Sequence, residues 1–335
     1  MAAVETPLQP DWLTADVFSA LGDRPVLLVD AAAWRRPEVA VQSVVVGLDA
    51  AGVLPAIDPA GFDILITSAA GAPAPWVSVA QARFADHAAR LEHAVRQSPM
   101  AATVLCRVLR LAERLPFEEA LHVESLAYST LLGGGEFERW LAQRGPPAPV
   151  PVAGGPLVAV ERHGDRVEIT LDHPASRNAL TAAMRDALCE ALANALDDPS
   201  APEVLLKGAG RCFSSGGDIG EFGTARDLAL AHVVRTLRSP ALLLDQLGPR
   251  ATVRLHGACI GSGLEVPAAA HRRLATADAW FQLPELAMGL IPGAGGTVSV
   301  ARAIGRHRTA WLVLSGQRIG AGLARDWGLI DEIVG

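Results

Sequence analysis

HGACIGSGLEVPAAAHRRLATADAWFQLPELAMGLIPGAGGT, residues His256 to Thr297, carries the richest chemistry in this chain. It holds two glutamates, Glu265 and Glu285, 20 positions apart, each beside glycine or proline. Gly261-Ser262-Gly263 precedes Glu265 and the apolar run Leu264 to Ala270 follows it, which reads as a loop opening into a helix. Glycines let the backbone turn sharply and approach a bound group, and Pro267 is tolerated in a first helical turn. The free N–H groups of such a helix start suit a developing oxyanion, and a carboxylate within that turn lies beside the reacting atoms.

Glu285 follows the aromatic and apolar run Trp280-Phe281-Gln282-Leu283-Pro284, so it is expected to leave a strand and enter a loop. Pro292 to Thr297 reads as a further backbone-exposing loop. Two carboxylates in a partly apolar cleft can divide acid and base roles, because desolvation and mutual repulsion raise at least one pKa. Residue types alone leave the alternative open that both are ordinary solvated glutamates on unrelated loops.

Working outward, Thr181 can cap a helix whose Met184, Leu188, Leu192 and Leu196 repeat every four residues. Val204-Leu205-Leu206 reads as a buried strand feeding the loop from Gly210 to Asp218. Arg226 to Leu247 is mostly apolar helix broken at Ser239-Pro240, and Thr252 to Leu255 is the strand before the central stretch. This alternation predicts strands covered by helices, an α/β architecture.

These segments together resemble the crotonase family, the enoyl-CoA hydratases and isomerases, over residues 157–334. Leu157 to Val160 and Val167 to Pro174 look like that family's opening strands, and Arg177-Asn178-Ala179-Leu180 like the approach to its first helix. Gly208 to Ile219, GAGRCFSSGGDI, matches its first oxyanion loop, and Gly261-Ser262-Gly263-Leu264-Glu265 its second. The resemblance implies a ββα spiral core and an acyl-CoA substrate, with no cofactor beyond the coenzyme A that the substrate carries. It implies that the backbone N–H groups of Gly217 and Ser262 hold the thioester oxygen. Glu285 then acts as acid or base at the α-carbon, and Glu265 orients water at the β-carbon. Ser262 stands where glycine is commoner in the family; only its N–H is needed, but its side chain adds bulk or a hydrogen bond beside the thioester. Arg177, Ala179, Arg211 and Ser215 fall at positions near the CoA moiety. Family analogues imply a homo-trimer or hexamer.

The remainder of the chain narrows the function classes. A net charge of −7 and the lack of a basic block argue against nucleic acid and anionic membrane surfaces. No apolar run is long enough to span a bilayer and the start has no positive region leading into an apolar core, so a soluble, cytoplasmic protein is expected. Cys106, Cys189, Cys212 and Cys259 form no CxxC pair, and the histidines show no metal-ligand spacing; no metal site is expected. Gly261-Ser262-Gly263 lacks the third glycine of a dinucleotide fingerprint, and Ile260 stands where a GxSxG elbow needs glycine.

Residues 1–79 read as a small α/β extension. Its first 24 residues are a poorly ordered lead, Val26 to Val29 a strand, Val39 to Ala51 a helix and Phe62 to Thr67 a second strand. Residues 80–144 read as three or four helices, residues 145–156 as a proline- and glycine-rich linker, and residues 157–335 as the core. The helical segment resembles the covering helices that follow a crotonase's last strand, which predicts a permuted arrangement with those helices supplied from the front. Two function classes stand: an enoyl-CoA hydratase or related isomerase, and a non-catalytic acyl-CoA-binding scaffold subunit.

Overall fold

The computed structural model describes residues 15–37, 41–146 and 154–335. Of the lead expected over residues 1–24, residues 1–14 lie outside the described residues, as do the start of the helix expected from Val39 and the middle of the linker, whereas residues 15–24 include a 3-10 turn, Ala15–Phe18, with Phe18 buried.

Val44-Val45-Val46 decides the first layer. Consecutive β-branched side chains are stiff at χ1 and suit a strand buried on both faces. Accordingly β2 (Val44–Asp49), buried along its length, pairs in parallel with both β1 (Val26–Asp30) and β3 (Ile64–Thr67), and β4 (Val77–Ser78) extends the sheet. Where a helix was expected over residues 39–51, Val44–Asp49 form a central strand. Among the described residues before 80, short 3-10 turns and no α-helix accompany this parallel sheet, where an α/β extension was expected.

Four helices follow, α1 (Phe84–Gln97), α2 (Pro99–Ala112), α3 (Phe117–Leu132) and α4 (Gly135–Arg144). The breaks fall at Ser98-Pro99, Pro116 and Gly133-Gly134, where proline cannot continue a helix and glycine ends one cheaply.

The second half builds a six-stranded sheet in the order Glu332–Val334, Arg272–Thr276, Ala251–Leu255, Glu203–Gly208, Arg166–Leu171, Val158–His163. Here β5 (Val158–His163) and β6 (Arg166–Leu171) form an antiparallel hairpin, and α5 (Ala182–Asp197) crosses to β7 (Glu203–Gly208), parallel to β6. Thr181 caps α5, its Oγ1 accepting from Met184 N at 3.0 Å. Two helices, α6 (Leu228–Leu237) and α7 (Pro240–Leu247), lead to β8 (Ala251–Leu255). From there the chain spirals between two sheets. β9 (Ala258–Ile260) joins a small sheet, α8 (Ser262–Glu265) turns back, β10 (Arg272–Thr276) returns to the large sheet and β11 (Trp280–Gln282) pairs in parallel with β9. After α9 (Gly296–Ile304) and α10 (Arg306–Ser315), β12 (Ile319–Gly320) closes the small sheet, and α11 (Ala321–Trp327) and β13 (Glu332–Val334) complete the large one. This strand-strand-helix repeat is the expected spiral.

The two halves share one core. A single buried cluster runs from Val26 to Ile330. At the junction α10 buries Arg306, His307 and Arg308 against the N-terminal sheet. Arg306 donates to Phe62 O (2.7 Å) and Pro59 O, His307 Nε2 to Pro59 O (2.9 Å), and Arg308 to Trp76 O and Ala72 O (both 3.1 Å). Among the described residues no helix is long and apolar enough to cross a membrane.

Candidate active site

Strand register brings the two glutamates together. β9 and β11 run parallel with Ile260 opposite Gln282, and Gly261 N extends the ladder to Gln282 O (2.9 Å). Glu265 and Glu285 leave the same carboxyl end of this pair, the end where α/β folds place ligands. Glu265 closes α8, which is shorter than the expected helix because Pro267 offers no N–H; a 3-10 turn, Pro267–Ala269, replaces its continuation. Glu285 begins a 3-10 turn, Glu285–Met288, where a loop was expected, and the backbone from Pro292 to Thr297 runs directly into α9.

The first loop is laid against β9. Ser214 N donates to Ala258 O and Ile260 N to Ser214 O, both at 3.2 Å, so Gly216 and Gly217 come beside Gly261 and Ser262. The approach is too close for a side chain: at Gly216, with φ +91°, a β-carbon would lie 2.7 Å from Ile260 O. Asn178 staples the loop from behind. Fully buried, its Nδ2 donates to Ala209 O, Cys212 O and Phe213 O (2.8, 3.2 and 3.0 Å), while its Oδ1 accepts from His173 N.

Gly217, Ser262, Glu265 and Glu285 line one cavity of about 510 Å³. Both carboxylates point at the volume over Gly261: a β-carbon there would sit 2.8 Å from Glu285 Oε1 and 4.0 Å from Glu265 Oε1. Both are buried, 3 % exposed at Glu265 and 6 % at Glu285. Glu265 Oε2 accepts from Ala294 N (2.7 Å) and Gly296 N (3.1 Å). By contrast Glu285 Oε2 and Ser262 Oγ are buried without a hydrogen-bond partner. Among the described residues the Gly217 and Ser262 amides also find no protein acceptor. Buried polar atoms are ordinarily satisfied, so unpaired donors and acceptors on one wall point to a polar ligand.

Burial pushes both glutamates above the usual carboxylate range. Glu265 is raised first by desolvation and then by the negative charges of Glu285 and Glu124, against the Ala294 and Gly296 amides. Glu285 is raised by desolvation and by Glu124, against its own backbone N–H. At least one proton is therefore held here near neutral pH.

Further lining comes from residues the sequence did not single out. Glu124, Ser125 and Tyr128 of α3 line the cavity, with Arg235 of α6. Tyr128 packs on Gly293, and its hydroxyl pKa is pushed up by burial. Arg235 donates from Nη1 to Ser125 Oγ (2.8 Å) and Ser129 Oγ (3.1 Å), and its guanidinium lies over the Tyr128 ring. The sequence offered no local mark of their partners, which lie far away along the chain.

Arg177, Ala179, Arg211 and Ser215 do not lie on the cavity wall. Arg177 and Arg211 are exposed. The backbone of Arg177, at φ +57°, accepts from Ser215 N (3.0 Å), and Ala179 N donates to Ser176 O, so these residues brace the first loop.

A family model described as "Enoyl-CoA hydratase/isomerase" matches residues 162–335. A "Probable enoyl-CoA hydratase" of Rhodobacter capsulatus is 38 % identical over 167 residues, 50 % of this chain and 64 % of that protein. The "2,3-dehydroadipyl-CoA hydratase" of Escherichia coli K12 is 33 % identical over 165 residues, 49 % of this chain and 64 % of that protein. The crystal structure of an enoyl-CoA hydratase from Thermoplasma volcanium aligns with a TM-score of 0.50 at 32 % identity, covering 54 % of this chain and 72 % of that one. The chain spans just under two thirds of the length of these curated relatives.

Proposed function

The chain belongs to the enoyl-CoA hydratase/isomerase family, and from that premise we propose that it adds water to a 2-enoyl-CoA. The observation that carries this reading is the convergence, over Gly261, of two buried carboxylates with the unpaired atoms of Ser262 and Glu285. The thioester oxygen rests between the amides of Gly217 and Ser262, which stabilise negative charge as it develops there. Glu265 takes a proton from water while the water oxygen bonds to the β-carbon, and the π electrons move onto the thioester oxygen. Glu285 then delivers a proton to the α-carbon of the enolate. Over the turnover one O–H bond of water and the C=C π bond break, one C–O and one C–H bond form, and a proton passes from Glu265 to Glu285 before the next turnover. Burial raises Glu285 to about 8, which suits it to hold and deliver a proton near neutral pH, while the Ala294 and Gly296 amides favour the carboxylate form that Glu265 needs as base. Double-bond isomerisation needs one carboxylate; two facing the same volume favour hydration.

In this reading α1 to α4 are the family's covering helices supplied from the front of the chain, a permuted arrangement supported by the presence of α3 on the cavity wall. Arg177 and Arg211, with the backbone of Ala179 and Ser215, meet the CoA moiety outside the cavity. Comparing an enoyl-CoA with the corresponding pantetheine thioester reads that contribution. The exposed Leu230, Val233 and Leu237 of α6 support a homo-trimer or hexamer.

Turnover is followed as loss of the conjugated thioester absorbance of crotonyl-CoA and longer homologues. Glu285→Gln is expected to lower kcat by at least about 10²-fold, the range of general acid–base contributions, while a saturated acyl-CoA still binds. Full activity in that variant overturns the assignment of Glu285, and binding without turnover in the wild-type protein favours a non-catalytic acyl-CoA-binding subunit.

A further inference from the structure

Four successive amides at the start of α9 alternate between two carboxylates. Ala294 N and Gly296 N donate to Glu265 Oε2, at 2.7 and 3.1 Å. Gly295 N donates to Glu124 Oε1 and Thr297 N to Glu124 Oε2, both at 2.7 Å, and Thr297 Oγ1 also donates to Oε2 at 2.6 Å. These amides are the otherwise unpaired donors of a helix start, where negative charge is stabilising. The turn is therefore clamped between Glu265 on one side and, on the other, a residue of α3 that is 2 % exposed.

We propose that Glu124 is a positioning residue of this site, fixing the turn from Ala294 to Thr297 so that Glu265 is held with its free oxygen over Gly261. The inference rests on the proposed acid–base roles of Glu265 and Glu285. Glu265 has no other side-chain anchor among the described residues, and its backbone carbonyl accepts from Ser299 Oγ (2.6 Å) of the same α9. Moving the turn moves both ends of Glu265. Gly296 leaves no slack: a β-carbon there would lie 2.7 Å from Glu265 Cγ.

Glu124 also acts through its charge. The groups facing it are Glu265 of α8, Glu285 of the turn after β11, Tyr128 of its own helix and Arg235 of α6. Burial raises the pKa of Glu124 to about 7 against three donors and Arg235, and in its charged form Glu124 in turn raises the pKa of both Glu265 and Glu285. Removing that charge is expected to shift the pH dependence of turnover toward lower pH.

The isosteric Glu124→Gln tests this in the full chain. The amide can accept from one neighbour through its oxygen but turns an NH₂ group toward another N–H. Expected results are hydrogen exchange at residues 294–297 faster by at least about tenfold, and kcat for crotonyl-CoA lower by about 10- to 100-fold with KM changed less than about twofold. The acid limb should move to lower pH. Glu124→Asp keeps the charge but shortens the reach, and should retain the pH profile while losing part of the kcat. Unchanged exchange and unchanged pH profile in a folded Glu124→Gln protein overturn the proposal. A raised KM at constant kcat also overturns it, making Glu124 a substrate contact. Should the wild-type protein turn over no enoyl-CoA, the hydration reading fails by itself; the exchange at residues 294–297, and the Glu265 and Glu285 titrations followed by carboxyl carbon NMR, still decide the role of Glu124.

Discussion

Gly261→Ala is the sharpest perturbation of the site, because it adds one methyl group at the point where the two carboxylates converge. The backbone there has φ +51° and ψ −124°, a region that side chains rarely adopt, and holding alanine in it costs on the order of 1–3 kcal/mol. The new β-carbon would lie 2.8 Å from Glu285 Oε1, so that oxygen must retreat by roughly half an ångström to restore van der Waals contact, in line with packing distances of carbon contacts. Misplacement by about 1 Å costs about 10²-fold in rate, so kcat for crotonyl-CoA is expected to fall roughly 10- to 100-fold. Gly305→Ala separates the two effects. Gly305 also has positive φ, +80°, yet nothing lies within 4 Å of the place its new methyl group would take. That variant should lose stability by a similar ~1–3 kcal/mol in urea unfolding while keeping its kcat. If a folded Gly261→Ala protein turns over crotonyl-CoA within twofold of the wild type, the placement of Glu285 Oε1 over Gly261 is irrelevant to the chemistry and the mechanism is wrong.

His307 supplies a test of the junction between the halves. Burial, reinforced by Arg306, lowers its pKa to about 4, so the folded state resists a proton that the unfolded chain accepts at ordinary histidine pH. Its contribution to stability is present above about pH 6.5 and is lost as pH falls toward 4, by up to ~3 kcal/mol. His307→Gln keeps a donor for Pro59 O and removes the titration, so its urea-unfolding free energy should fall less steeply between those limits; parallel curves refute the assignment. For assembly, sedimentation equilibrium is expected to show a trimer or hexamer that Leu237→Glu on α6 weakens at least about tenfold, since it puts a charge into an apolar contact. A wild-type monomer at micromolar concentration would refute that reading.

The core was legible where local chemistry and tertiary structure agree. Thr181 capping α5, the break at Ser239-Pro240 and the delivery of both glycine loops by strands all follow from signals within a few residues. Val44 to Asp49 passes for helix in the sequence because a run buried on both faces has no strand period, and only its pairing with β1 and β3 distinguishes it. The helix expected beyond Glu265 ends early for a local reason, Pro267, tolerated at a helix start but placed here where the chain would have continued one. Glu265 and Glu285 were visible beside their glycines. Glu124 was not, because its partners, Gly295 and Thr297, lie more than half the chain away and a helix carries no local mark of a contact at that separation.

That separation bears on the proposed supply of the covering helices from the front. The two acids of the spiral are bound to chain order, because β9 must precede β11 and their parallel register leaves Glu265 and Glu285 on one edge. Nothing comparable binds α3. It meets the site through the carboxylate of Glu124 on the amides of Gly295 and Thr297, through Tyr128 on Gly293, and through Ser125 and Ser129 on Arg235. Each is a contact between side chain and surface that requires a position in space and no particular place in sequence. A helix carrying Glu124 completes the same wall whether it is joined before β5 or after β13, so long as its connection reaches. The constraint that remains is charge. Burial raises the pKa of all three carboxyl groups in the cavity; the donors at residues 294–297 oppose that shift at Glu265 and Glu124, Arg235 opposes it at Glu124, and α3 holds Arg235 in place through its serines. Replacing Ser125 and Ser129 by alanine with Glu124 intact frees Arg235 and should therefore raise the Glu124 pKa further, read by carboxyl carbon NMR.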